Sequence, residues 1–260
     1  MEQVLANLLL WLTAIWWPFV RCMAMLSAAP VLGEMMVPVT VRLLVSLVLA
    51  VILLPLTQGQ VVQGIDPISV QGIAVTLEQA VIGGAIGLAF HFSMSVIGVL
   101  GYLVSSQVGF SMAVMNDPLN GTSSDVVSAL LSMLAIVIFF SIDGHLVLAG
   151  VIGQSFKAWP LGGGYSALLL QTVAWNVAWI FSAAMLLAIP VVFSALVVQL
   201  GFGFLNRVAP TLNLFALGFS VITIFGLLML GQVVRFIPQH YIRMSARVLD
   251  MIQQQMVPHG

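Results

Sequence analysis

Four ionisable side chains stand inside otherwise apolar stretches: Glu78 and His91 in "LEQAVIGGAIGLAFHF", and Asp143 and His145 in "SIDGHLVL". An ionisable group at membrane depth is costly and is a functional candidate by default. A carboxylate beside an imidazole is the obvious core of a proton relay. Positions 143 and 145, however, lie about 200° apart around a helix, so they face each other only if Gly144 breaks it. The structural alternative is that Asp143-Gly144 ends one helix and His145 begins the next segment. Glu78 follows an Asp66-Pro67 helix start by three turns and could still stand near a polar interface, while a lone His91 reads more simply as a satisfied core histidine. A proton- or ion-coupled secondary transporter is the reading these four groups support. Its hallmark would be broken helices at corresponding positions of repeated halves, and no inverted repeat is evident.

Three further groups bear on assembly or gating. Gly83-Gly84-x-x-Gly87 sets small residues on one helix face, which permits close helix approach in membranes, and Gly98 and Gly101 extend the trend. "RVAPTLNLFALGF" breaks a helix at Pro210, with Arg207 and Asn213 available to the backbone groups that the break frees. "GFSMAVMNDPLNGTSSDV" is half apolar and half polar: Gly109, Phe110, Ser111, Met112 and Met115 precede the turn signals Asp117-Pro118 and Asn120-Gly121. Non-helical backbone at membrane depth survives only where protein buries it or where it lines a water-filled cavity. Phe and deformable Met side chains on such a loop suit the stopping of a pore. They equally suit an external loop grazing the membrane surface.

The elements around these residues follow from composition. Of 260 residues, 61% are hydrophobic and 6% charged, against about 25% charged in a soluble domain. So few charges cannot clothe a water-facing surface, and the chain is expected to be an all-α integral membrane protein. A net charge of −1 without a basic cluster outside the C-terminal tail argues against nucleic acid. Cys22 is alone, so neither an intrachain disulfide nor a cysteine metal site is expected. No nucleotide or metal motif appears; no enzyme chemistry and no cofactor are expected. The N-terminus lacks a basic n-region and a small-residue cleavage site, and its first helix is read as retained.

Six apolar tracts are marked: Val4 to Val20, ending in the interfacial aromatics Trp11, Trp16 and Trp17; Val39 to Leu56; Ile68 to Ser106; Val126 to Ile152; Tyr165 to Phe204; and Leu212 to Val234. The third as one helix would measure about 58 Å, beyond the ~30 Å apolar core of a bilayer, yet no polar turn divides it. Arg21, Arg42, Lys157, Arg207, Arg235, Arg243 and Arg247 fit no simple alternation of sides. Long, broken apolar helices and hairpins that pack into a larger helical assembly would account for both anomalies. The tail from Arg235 repeats Ile242, Ala246, Leu249 and Met256 at helical spacing, as a surface helix or a docking helix would.

"QVGFSMAVMNDP", "FFSIDGHLVLAGVIGQSFKAWPLG" and "RVAPTLNLFALGF" resemble, in order and spacing, the signature stretches of the flagellar biosynthetic FliR family and its injectisome T-type relatives. Where that family usually carries Gln after the Pro of the third stretch, this chain has Thr211. The resemblance implies a core subunit of the flagellar type III protein export gate, in the bacterial inner membrane at the flagellar basal body. Its implied partners are FliP-like and FliQ-like subunits, an FlhB-like export-switch protein, membrane lipid, and unfolded secreted proteins as substrates. It implies a FliP-like part over 1–161, carrying a plug loop at 107–125, and a FliQ-like hairpin with an amphipathic tail over 162–260. Gly109, Phe110, Ser111, Met112, Met115, Asp117 and Pro118 would then close the pore. Gly83, Gly84, Gly87, Asp143, Gly144, His145, Arg207, Pro210 and Asn213 would serve structure and assembly.

Overall fold

The computed structural model describes residues 2–33, 37–57, 65–110, 114–117, 122–165, 167–208 and 214–256; residues 2–10, 114–117, 122–124, 167, 214–217 and 219 are described as backbone. The apolar tracts fold into helices α1 (Glu2–Ala28), α2 (Val39–Thr57), α3 (Val70–Val108), α4 (Val126–Ser141), α5 (Gly144–Ala158), α6 (Ala167–Val208) and α7 (Leu214–Met256). Two short strands, β1 (Val114–Asp117) and β2 (Thr122–Asp125), lie between α3 and α4. The protein is all-α in class and integral to the membrane. Among the described residues four helices are long and apolar enough to cross a bilayer, or five if the bent pair α4–α5 is one span.

Several expectations change. The third tract is one helix of 39 residues, and α6 and α7 reach 42 and 43. At 1.5 Å per residue these are about 58 to 65 Å long. Asp66-Pro67 forms the turn before α3 instead of its first helical residues. The Asp66 carboxylate accepts from the Ile68 amide at 3.0 Å, and Ser69 Oγ takes the cap, accepting from the Gly72 amide at 3.0 Å. The fourth tract is two helices meeting at 64°. The first tract does not stop at Val20 but runs through Pro18 and Arg21 to Ala28, and Trp17 is buried in protein. α7 continues unbroken through Pro238 into the tail, where Ile237, Tyr241, Met244, Val248 and Ile252 are buried. Of the residues expected on an apolar face there, Ile242 and Ala246 are exposed.

The chain divides into two compact units. One comprises Met1–Phe92, Phe140–Asn176 and Ser245–Gly260; the other comprises Ser93–Phe139 and Val177–Met244. In the first, α1 packs on α2 and on the early turns of α3, around Cys22, Met25, Ala50, Ile82, Ile86, Ile152 and Phe156. In the second, Ile97, Leu100, Val104, Leu131, Ala135, Ala184 and Val191 are buried. Within its most apolar window 67% of α3 is buried, against 22% for α2, 28% for α6 and 17% for α7. So α3 is a core helix, whereas α2, α6 and α7 hold apolar faces that lipid or other protein must cover.

Candidate functional site

The loop that follows α3 is a β-hairpin root and branch. Gly109 has φ 83°, a left-handed conformation that glycine adopts without a Cβ penalty, and it turns the chain out of α3 just after Val108. Half-buried Phe110 follows. The strands then pair antiparallel in the register Val114↔Asp125, Met115↔Ser124, Asn116↔Ser123 and Asp117↔Thr122. Pairing satisfies the backbone N–H and C=O groups that face the partner strand; the outward-facing ones remain those of two edge strands. Ser111, Met112 and Pro118 lie outside the described residues, and Met115 and Asp117 are placed as backbone.

Both roots of the hairpin rest on helices of the same unit. At its far end Asp125 caps α4: its carboxylate accepts from the Ser128 amide at 2.8 Å and from Ser128 Oγ at 2.5 Å. Ser128 Oγ also stands 3.2 Å from the Gly98 carbonyl, and a side chain at Gly101 would run into the Ser128 backbone. α3 and α4 are therefore in backbone contact where the second strand ends. At the near end Val108 sits against Gly226 of α7, so closely that a Cβ there would overlap the Val108 side chain, and Thr223 Oγ1 lies 3.5 Å from the Val108 carbonyl.

The most polar point of the buried interior is in the other unit. Arg21 is wholly buried, and each guanidinium nitrogen has its own acceptor on another helix or its end. Nε donates to Gln79 Oε1 at 2.7 Å, Nη1 to Ser155 Oγ at 3.1 Å and Nη2 to the Trp159 carbonyl at 2.8 Å. The guanidinium also stacks 4.1 Å above the Phe156 ring. Gln79 Nε2 in turn donates to the Glu78 carboxylate at 3.1 Å, so one amide carries the cation's polarity to the nearest acid. Burying a guanidinium is tolerable only when its donors are satisfied in this way. Backbone contact makes the reach possible: Cβ atoms at Gly83 and Gly87 would collide with the Arg21 and Met25 carbonyls of α1.

The remaining sequence candidates are distributed. Gly83 and Gly87 meet α1, whereas Gly84 faces open space. Asp143 is left-handed, φ 54°, with its side chain free of any capping bond; its carbonyl accepts from the Leu146 and Val147 amides. Gly144 starts α5, and the exposed His145 ring stands 5.6 Å from Phe140. Asp143-Gly144 is thus a bend between helices. His91 is half-buried, and no group of three His, Cys, Asp or Glu suited to a metal occurs among the described residues. Arg207 is exposed in the last turn of α6; Pro210 and Asn213 lie outside the described residues. Sequence reasoning missed the role of Arg21, which it only tallied as a charge, and of Gln79 and Gly226. The signal was present: a basic residue ending an apolar tract, one amide in another, and Ser155, Phe156 and Trp159 within a single quoted stretch.

The family described as bacterial export proteins, family 1, matches residues 12–248. The chain is 30% identical over 246 residues to the flagellar biosynthetic protein FliR of Pectobacterium carotovorum, covering 93% of this chain and 92% of that protein. It is 27% identical over 245 residues to FliR of Escherichia coli, again 93% and 92%. To the surface presentation of antigens protein SpaR of Salmonella typhimurium it is 28% identical over 185 residues, 68% of each. With α2 to α6, most of α1 and α7, the hairpin roots and the Arg21 cluster inside the matched span, the chain belongs to family 1 of the bacterial export proteins.

Proposed function

We propose that this membrane component of bacterial protein export is a core subunit of a type III export gate and that its segment 107–125 is the plug. In this reading the chain joins FliP-like and FliQ-like subunits at the pore entrance in the bacterial inner membrane, at the flagellar basal body. An FlhB-like switch protein stands nearby, and unfolded secreted proteins pass through. Residues 1–161 act as a FliP-like part and 162–260 as a FliQ-like hairpin. The observation that carries the reading is the hairpin itself: a self-paired backbone branch leaving α3 at a left-handed glycine, between two apolar helices. The exposed apolar faces of α2, α6 and α7 support burial in an assembly.

The chemistry is passive. Gly109, Phe110, Ser111, Met112, Met115, Asp117 and Pro118 close the pore by packing, form no covalent bond and use no nucleotide. An arriving chain displaces them, and the driving energy comes from elsewhere in the apparatus. Deleting Val114 to Asn120 makes cells leak small ions and solutes while the complex still assembles. A deletion mutant that assembles and stays tight would end the plug reading.

A further inference from the structure

We propose that Gly226 and Thr223 of α7, together with Ser128 of α4, are positioning residues of the gate: they hold the two ends of the hairpin and so set where the closed plug lies. The inference rests on the plug reading of segment 107–125 and assigns what fixes that plug. The two roots differ in kind. At Asp125 the hold is polar and short-range. Ser128 supplies both an amide and a hydroxyl to one carboxylate, and the Gly98 carbonyl lies on its other side. At Val108 the hold is a fit of shapes. Gly226 leaves a hollow one side chain deep, the Val108 methyls fill it, and Thr223 stands three residues earlier on the same helix face, at the Val108 carbonyl.

That carbonyl is among the last of α3 and has no successor in the helix to bond it, so a hydroxyl from α7 is a natural partner. Its 3.5 Å length makes it a weak one, and the glycine hollow is the main restraint. Immediately beyond the seat comes Gly109, where φ is positive and the chain direction turns. A shift of Val108 is therefore passed directly into the first residues of the plug. With Val108 in the hollow, α3 is held against α7 up to the residue before Gly109. α7 consequently decides, through one glycine, whether the near root is seated.

The test exchanges bulk across the seat in the assembled complex, within whole cells, and reads entry of a small solute alongside incorporation of the chain. G226V adds two methyls beyond the Cβ that Val108 already excludes, and should raise solute entry roughly tenfold, equivalent to about 1.4 kcal/mol against the closed position. V108A combined with G226V moves the bulk from one helix to the other and should restore a tight gate. G226A is the fallback where the valine variant is not incorporated, with a smaller leak in the same direction. The deletion of Val114 to Asn120 runs in parallel. If the deletion leaks but incorporated G226V or G226A stays tight, the positioning role is overturned and the plug reading stands. If G226V leaks and V108A fails to correct it, Gly226 acts elsewhere and the proposal is again overturned. If the deletion itself stays tight, the plug reading falls and the inference with it.

Discussion

At Arg21 all three guanidinium nitrogens meet acceptors held on α3 and at the C-terminal end of α5, whereas at the 114–125 hairpin the backbone pairs with itself and its ends are seated at Val108 and Asp125. Both regions solve the same problem, polar groups among apolar helices, and α3 serves both. Its early turns carry Gln79, Gly83 and Gly87; its last residue is Val108. The first solution locks helices to one another, because moving any one of them would strand a buried donor or acceptor. The second keeps its hydrogen bonds between its own two strands, so displacing it need not break that ladder. The former suits a scaffold, and on the plug reading proposed above the latter suits a movable segment. The same long helix thus carries the buried cation's partners near one end and the hairpin root at the other.

The comparison breaks most visibly at Arg21. Arg21→Ala removes the cation, leaves the Trp159 carbonyl and Gln79 Oε1 without their donor and opens a cavity beside Phe156. We expect a loss on the order of 3–5 kcal/mol, from unsatisfied groups and lost packing together. The chain should fail to accumulate in the membrane, as read by its steady-state level and protease resistance. Arg21→Lys should recover little, since a single ammonium cannot reproduce three divergent bonds and the ring stack. Normal accumulation of Arg21→Ala would show that the cluster is dispensable and that the contrast with the hairpin is false.

How far this was legible in sequence follows from the same two regions. The apolar tracts announced the helices and their membrane character, because hydropathy over 18 residues needs no knowledge of partners. The end of α3 at Gly109 was legible too, and Asp117-Pro118 marked a turn, since turn residues act locally; the strand pairing was not. Arg21 was not. Its meaning lies in residues 58, 134 and 138 positions away, and a single chain does not display such pairings. The continuity of α6 and α7 through Pro190 and Pro238 was also hidden, because neighbouring helices and side chains compensate the missing amides only in three dimensions. The stretch ending in Trp159-Pro160 was recognisable as a pattern, but not as the wall around an arginine.

A finer probe separates the glycines. Gly83→Ala drives a methyl into the Arg21 carbonyl and should cost about 1–3 kcal/mol by overpacking. Gly84→Ala, one residue on, meets nothing within 4 Å and should be neutral or slightly stabilising, since alanine favours the helix by up to about 1 kcal/mol. Thermal stability of the two variants in the same detergent-extracted complex checks the pair. Equal losses would mean that helix composition, not contact with α1, sets the need for glycine there.

The smallest effect is expected at Asp143, and it bears on the rival transporter reading. Asp143 occupies a left-handed position, its carboxylate makes no cap bond, and what the bend needs from it is the carbonyl that accepts from Leu146 and Val147. Asn tolerates that conformation as readily as Asp and keeps the carbonyl. Asp143→Asn should therefore change stability by no more than about 0.5 kcal/mol and leave export of a secreted substrate at its native level. A relay built on Asp143 and His145 would instead lose coupled ion movement altogether when its carboxylate is removed. Export measured in cells carrying Asp143→Asn decides between them: native secretion leaves the bend as geometry, and its loss in a fully assembled complex would make this exposed acid a working group.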